Sequence, residues 1–357
     1  MSYFLLDEFK NSTPYQPGEM PNDRDYLKLN ANESSYPPSP RVLDAMTAAE
    51  VNSVTHYCDP HYISLRKAIG SIYDIGCENV FVGNGADEVL SFAMMAFFRR
   101  GMKVCFPDIT YDFYRAYAVT YGLDYKQFPL REDYTIDVND YVNTDRDVIL
   151  ANPNNPTGQA LSVSDIERIV AANPKRMVLI DEAYVDYGIE SCVPLTAKYS
   201  NLIVVQTFSK SRNMPGARIG FAIASSDIID DMERVKFSFN PFNLSTLAIA
   251  GGTAAALDKE YTALCVGKIK YTREWFEDEL EKLGFHVYRT ETNFVFFQPK
   301  GIGAVELTAK LKEKGILVRY YDEKRLDTFV RITIGTETEM ERVLVTIRQI
   351  LGLSNAA

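Results

Sequence analysis

Between about residues 76 and 225 the chain alternates short apolar runs with longer amphipathic stretches. The runs are Val80-Phe81-Val82, Lys103-Val104-Cys105-Phe106, Val148-Ile149-Leu150, Val178-Leu179-Ile180, Ile203-Val204-Val205 and Ile219-Gly220-Phe221-Ala222. They lack strict polar alternation, so each reads as a strand covered on both faces. Amphipathic segments at Asp87–Arg99, Tyr111–Tyr121 and Ser164–Ala172 predict helices between them. This order predicts an α/β fold with a mainly parallel sheet flanked by helices.

The pattern changes later in the chain. A long amphipathic stretch over about 258–283 predicts a linking helix. Strands follow at His286–Arg289 and Phe294–Gln298, a helix at Ala304–Lys314, strands at Leu317–Tyr321 and Phe329–Ile334, and a helix at Glu337–Leu351. That order predicts a smaller α+β domain. Residues 1–40 are rich in Pro, Asn and Tyr with little period, and read as an arm. Pro37-Pro38-Ser39-Pro40 closes it ahead of a helical pattern from Arg41. The predicted division is an arm at 1–40 that joins the small domain, a large domain at 41–257, and the linking helix with the small domain at 258–357.

Charge narrows the partners. With 38 Lys+Arg against 48 Asp+Glu, the 357-residue chain carries a net charge of −10, which argues against nucleic acid or an anionic membrane surface. A phosphorylated ligand would therefore need a local cationic site. Five cysteines without a Cys-x-x-Cys pair suit free thiols in a reducing cytosol. The first residues lack the basic and apolar regions of a signal peptide, and the longest apolar run, Val89 to Phe98, is too short to span a bilayer. A cytoplasmic location is expected. His56, Cys58 and His61 lie close together, but no fourth soft ligand sits at metal-site spacing, so no metal is expected.

The chemistry-bearing residues sit at strand tips. Asn152-Pro153-Asn154-Asn155-Pro156-Thr157-Gly158 follows one strand, and Asp181-Glu182-Ala183-Tyr184 ends another. Thr207-Phe208-Ser209-Lys210 ends a third, with Arg218 eight positions after the lysine. Ligands of open α/β sheets bind at such tips. A lysine with a cation nearby is suited to form a Schiff base. A carboxylate and a phenol can serve a pyridine nitrogen and a ring hydroxyl, and the set meets the needs of pyridoxal 5′-phosphate. Gly83-Asn84-Gly85-Ala86-Asp87-Glu88 opens a helix after a strand. It imitates a dinucleotide fingerprint but has Glu88 where that fingerprint has glycine, and reads better as a phosphate cradle.

With these motifs in order, the chain resembles the fold-type I aminotransferases of the aspartate aminotransferase superfamily. Tyr15-Gln16-Pro17-Gly18, Leu29-Asn30-Ala31-Asn32-Glu33, His56-Tyr57, Leu65-Arg66, Gly315-Ile316-Leu317-Val318-Arg319 and Val330-Arg331-Ile332-Thr333-Ile334-Gly335 narrow the likeness to the histidinol-phosphate aminotransferase branch. The resemblance implies a large domain of mainly parallel sheet, a smaller α+β domain, and a homodimer with shared active sites. It implies that Lys210 carries pyridoxal 5′-phosphate, Asp181 pairs with its ring nitrogen, and Asn155 and Tyr184 hold its 3′-oxygen. Gly85, Ala86 and Asp87 would meet the phosphate through backbone amides, with Thr207, Ser209 and Arg218. Tyr111 would stack on the ring, and Tyr57 would reach the partner's cofactor phosphate. Tyr114 and Tyr117, on the helix after Tyr111, read as packing residues. On the substrate side it implies Arg331 and Arg319 as anion grips and Tyr15 as a donor, with Asn30 and Glu33 bordering the entrance. The implied reaction is ping-pong transamination of histidinol phosphate with 2-oxoglutarate. Competing readings are an aromatic aminotransferase or threonine-phosphate decarboxylase on the same scaffold, a cofactor-binding regulator, and a nucleotide-dependent dehydrogenase.

Overall fold

The computed structural model describes residues 4–5, 18–172 and 174–353. All six apolar runs become strands of one sheet: β2 (Val80–Asn84), β3 (Lys103–Pro107), β5 (Asp147–Ala151), β6 (Val178–Asp181), β7 (Leu202–Thr207) and β8 (Ile219–Ile223). The order is β2-β8-β7-β6-β5-β3-β4. Neighbours run parallel except β8, which is antiparallel to both β2 and β7. Successive residues feed opposite faces. Val148, Leu150, Val178, Ile180, Leu202 and Val204 enter one core cluster, while Ile149, Leu179, Ile203 and Val205 enter another. Both faces are dry, which is why the runs carry no polar alternation. Each such side chain contributes about 1.5–3 kcal/mol by burial.

The seventh strand, β4 (Asp124–Phe128), escaped the sequence reading. It lies at the sheet edge with mostly exposed residues, and its Asp-Tyr-Lys-Gln-Phe composition suits an edge rather than a core. The helix expected from Tyr111 begins at Phe113, because Tyr111 stays in the preceding loop with its hydroxyl donating to Asp87 Oδ1 at 2.9 Å.

The 258–283 stretch forms one helix, Lys259–Lys282. Asp258 caps it through the Tyr261 amide and also accepts from Ser39 Oγ, tying residue 39 to the helix start. Beyond it lies an antiparallel sheet in the order β12-β13-β10-β9, made of β9 (His286–Tyr288), β10 (Phe294–Gln298), β12 (Arg319–Tyr320) and β13 (Val330–Thr333). The single strand expected at Leu317–Tyr321 is split. Ile316–Leu317 (β11) pairs in parallel with Leu27–Lys28 (β1), whereas Arg319–Tyr320 pairs with β13. Val318 is where the chain leaves one partner for the other. A third core cluster, including Phe276, Leu280, Phe294, Leu307, Ile332 and Val343, packs this part together. Helix Glu337–Ile350 starts with a capping box between Thr336 and Glu339. Among the described residues, no helix is long and apolar enough to cross a membrane.

Candidate active site

The carboxyl ends of β2, β3, β5, β6 and β7 lie along one edge of the large sheet, where they face the small sheet across a cavity of about 420 Å³. That volume suits a small cofactor with a substrate. The register places Asp181, the last residue of β6, beside Ala151 and Val205. Lys210 follows β7 by three residues, and the Asn152–Gly158 loop leaves β5. All three strand tips contribute to the wall.

Asp181 is buried, and burial pushes its carboxyl up to about 6. Against that, Tyr114 Oη donates to Oδ2 at 2.9 Å and the Ala183 amide to Oδ1 at 3.0 Å. A carboxylate held ionised in so dry a place is matched to a cation in front of it. Reading Tyr114 as packing accounts for its ring but missed this bond; with several tyrosines on one helix, the sequence offered no signal for which hydroxyl would be aimed at β6. Lys210 Nζ lies 5.7 Å from the Tyr184 ring centroid. Enclosure in the cavity, aided by the Arg331 guanidinium, brings its amine down to about 8. Tyr184 Oη accepts from Asn32 Nδ2 at 2.8 Å, which leaves its own proton for a ligand. Asn32 was visible only as part of a motif and had no role assigned.

The turn between β2 and helix Gly85–Phe97 forms a cradle. Gly85 has φ +83°, and a Cβ there would meet Arg218 Cζ at 2.8 Å, so the guanidinium lies directly over the turn. Arg218 Nη2 donates to Asp87 Oδ2 at 3.2 Å. Thr207 Oγ1 donates to Ser209 Oγ at 2.9 Å and receives the Ser209 amide at 3.1 Å. Helix-start amides, two hydroxyls and a guanidinium around one hollow form an anion site with a donor set suited to a phosphate.

Across the cavity, Arg319 and Arg331 are directly opposed in the β12–β13 pair. Like charges directly opposite on a strand pair disfavour folding, and the carboxylates of Asp112 and Glu323 stand within electrostatic reach of Arg319. Arg331 is buried. Its Nη1 donates to Asn155 Oδ1 at 2.7 Å and its Nη2 to Asn30 O at 3.0 Å, both neutral partners. Its Nε and Asn30 Oδ1 are buried polar atoms without a partner among the described residues, and both residues line the cavity. Tyr321 stands beside both arginines, 5.1 Å from Arg319 and 5.7 Å from Arg331. Glu33, at the rim, pairs with Lys28 at 2.8 Å.

The cavity thus gathers Ala86, Asp87, Tyr111, Asn155, Asp181, Tyr184, Thr207, Ser209, Lys210 and Arg218, along with Asn30, Arg319 and Arg331. Gly85 lies at its edge under Arg218. Tyr57 is not in its own chain's cavity; it is 85% exposed and stacks on Phe242 at 4.6 Å. Tyr15 lies outside the described residues. His56 and His61 bond to Thr55 and approach Glu233 respectively, and the described residues hold no cluster of metal-ligating type. The donor set fits a pyridine-aldehyde phosphate: lysine and carboxylate at the strand tips, a cradle at the helix start, and two arginines on the opposite wall.

The chain is similar to known proteins over nearly its whole length. Residues 24–347 match the family Aminotransferase class I and II. A histidinol-phosphate aminotransferase from Brachyspira hyodysenteriae is 45% identical over 352 residues, covering 98% of this chain and 99% of that protein. One from Clostridium acetobutylicum is 43% identical, covering 99% of this chain and all of that protein. Among solved structures, histidinol-phosphate aminotransferase from Sinorhizobium meliloti in complex with pyridoxal-5′-phosphate superposes with a TM-score of 0.86 at 22% identity, covering 98% of this chain and 99% of that one. The chain belongs to the class I and II aminotransferases.

Proposed function

We propose that this enzyme moves an amino group between histidinol phosphate and 2-oxoglutarate, giving imidazole acetol phosphate and glutamate, with pyridoxal 5′-phosphate held at Lys210. The observation that carries this reading is the opposed Arg319–Arg331 pair in the same cavity as a lysine brought down to about 8. The names borne by full-length relatives at 43–45% identity support the substrate. In that setting the enzyme serves histidine biosynthesis in the cytoplasm.

When bound, the cofactor supplies an electron-poor ring that accepts the charge left as the substrate's Cα proton departs. The protein's part is positional and acid–base. The Gly85–Asp87 amides, Thr207, Ser209 and Arg218 would hold the phosphate. Asp181, kept ionised by Tyr114 and the Ala183 amide, would keep the ring nitrogen protonated. Asn155 and Tyr184 would hold the 3′-oxygen, and Tyr111 would pack against the ring. Lys210 Nζ takes the proton from Cα as a base and later returns one as an acid. Arg331 and Arg319 grip the phosphate of histidinol phosphate in one half-reaction and a carboxylate of glutamate in the other. A guanidinium accepts either anion because it offers paired donors.

Two assignments accompany this reading. The first is a homodimer in which Tyr57 serves the partner's cofactor, supported by an exposed aromatic group of Tyr57, Phe237, Phe239 and Phe242. The second is the division into an arm at 1–40, a large domain at 41–257 and a small domain from 258, supported by a third core cluster drawn mostly from residues beyond 258 and joined by Leu29 of the arm. A half-reaction titration tests the function. Histidinol phosphate should convert the bound cofactor at far lower concentration than phenylalanine. O-phosphothreonine should release no carbon dioxide. Preference for phenylalanine, or carbon dioxide release, would replace this reading with one of its rivals.

A further inference from the structure

The loop between β12 and β13 begins at Arg319–Tyr320 and ends at Val330–Arg331, so both anion-facing arginines lie at its two ends. Tyr321, Glu323 and Leu326 of this loop line the cavity, opposite Asp108 to Asp112 of the large sheet's β3 loop. Its tip is fastened to that opposite wall. Arg325 Nη1 donates to Asp108 Oδ2 at 3.1 Å, and its Nη2 donates to Leu130 O at 3.0 Å and Arg131 O at 2.8 Å. Its guanidinium lies 5.3 Å from the Tyr134 ring. The fastening is reciprocal. Tyr134 Oη donates to Arg325 O at 2.5 Å, and its ring inserts among Tyr288 and Phe296 of the small sheet and Phe329 just before β13.

Two details set this clasp apart from an ordinary surface ion pair, which contributes little. Arg325 and Tyr134 both adopt left-handed backbone, with φ of 73° and 63°. Residues with a Cβ seldom adopt it unless their surroundings hold them there. Asp108 is itself fixed, accepting the Ile109 amide at 2.9 Å and the Leu130 amide at 2.8 Å on Oδ1 while Oδ2 takes Arg325. The clasp therefore joins two anchored walls of the cavity.

We infer that Arg325 is a positioning residue: by fastening the β12–β13 loop to Asp108, it holds the wall that carries Arg319 and Arg331 at the distance from the large sheet at which they grip an anionic substrate. The inference rests on the proposed transamination reading for the identity of that anion. Lys210, Asp181 and the phosphate cradle belong to the large sheet and do not depend on the clasp. Its loss should weaken substrate grip and spare the chemical step.

The test compares Arg325→Gln, Arg325→Gly and Arg325→Lys in the cofactor-loaded enzyme. The glycine variant removes the backbone strain together with the clasp, so it separates the two. KM for glutamate and for histidinol phosphate should each rise roughly tenfold in the Gln and Gly variants, with kcat, cofactor affinity and melting temperature close to the parent. The lysine variant should recover part of the loss. Succinate, an unreactive dicarboxylate, should lose affinity by the same factor in a spectral titration that requires no turnover. Asp108→Asn combined with Arg325→Gln should be no worse than either alone. KM and succinate affinity within about twofold of the parent would overturn the inference. So would losses of kcat and cofactor affinity that track a fall in melting temperature, which mark a purely structural role. If histidinol phosphate proves not to be a substrate of the parent enzyme, the proposed function fails, while glutamate and succinate still test the clasp.

Discussion

Replacing Gly220 by alanine should uncouple cofactor binding from folding. Gly220 lies on β8 opposite Gly83 and Thr207. A Cβ there would sit 2.6 Å from the Gly85 carbonyl oxygen and closer still to the Gly85 carbonyl carbon and the Ala86 amide nitrogen. Non-bonded heavy atoms settle near ~3.5 Å, so the Gly85–Ala86 turn must retreat by about 1 Å. Helix Gly85–Phe97 packs on β8 and β7, and overpacking of this kind costs about 1–3 kcal/mol of stability. The larger effect falls on the cradle. The Ala86 and Asp87 amides, proposed to hold the cofactor phosphate, move with the turn, and each hydrogen bond to a charged phosphate contributes about 1.5–3 kcal/mol. Losing two weakens cofactor binding by about 3–6 kcal/mol, roughly 10²- to 10⁴-fold. The assay is a titration of the cofactor-free variant with pyridoxal 5′-phosphate, followed by absorbance, with circular dichroism to show that it is folded. A folded variant that binds the cofactor within about threefold of the parent would refute the cradle argument.

Lys210→Met should abolish turnover yet raise the stability of the cofactor-free protein at pH 7. The buried amine is held below its ordinary value and so destabilises the fold by an amount that builds as pH falls from about 10.5 to about 8 and is complete below that; denaturant melts should show a gain of about 1–3 kcal/mol, and a loss would contradict this. Arg331→Gln should raise Kd for both glutamate and histidinol phosphate roughly thirtyfold or more, since breaking a buried charged contact costs about 2–5 kcal/mol; an unchanged Kd for either substrate would end the shared-grip idea. Burial brings Asp181 to about 6 and Glu182 and Glu277 to about 7. The folded chain therefore keeps protons that the unfolded chain has released, and cofactor-free stability should decline from pH 5 to pH 8. Higher stability at pH 8 than at pH 5 would count against it, and Glu277→Gln should flatten the slope.

The large sheet was legible because its strands are dry on both faces, and such strands appear as uninterrupted apolar runs. Strand β4 was not, because its residues are mostly exposed and its pairing with β3 is a tertiary event. The cavity residues at strand tips could be read from Asn155, Asp181, Lys210 and Arg218, whose types only make chemical sense together. Hydroxyl directions could not: Tyr111, Tyr114 and Tyr117 share a short segment, yet the first and third bond Asp87 and the second bonds Asp181. Periodicity places a side chain on a face but does not say which distant acceptor it meets. Arg325 was invisible for the same reason, since its partners lie about 190–220 positions away.

The proposed chemistry requires the amine at position 210 to carry the cofactor. Borohydride reduction of the purified holoenzyme, followed by proteolysis and mass spectrometry, tests it most directly. A single phosphopyridoxyl label should appear on the peptide containing Thr207-Phe208-Ser209-Lys210. A label on another lysine, or none in a protein that retains activity, would contradict it.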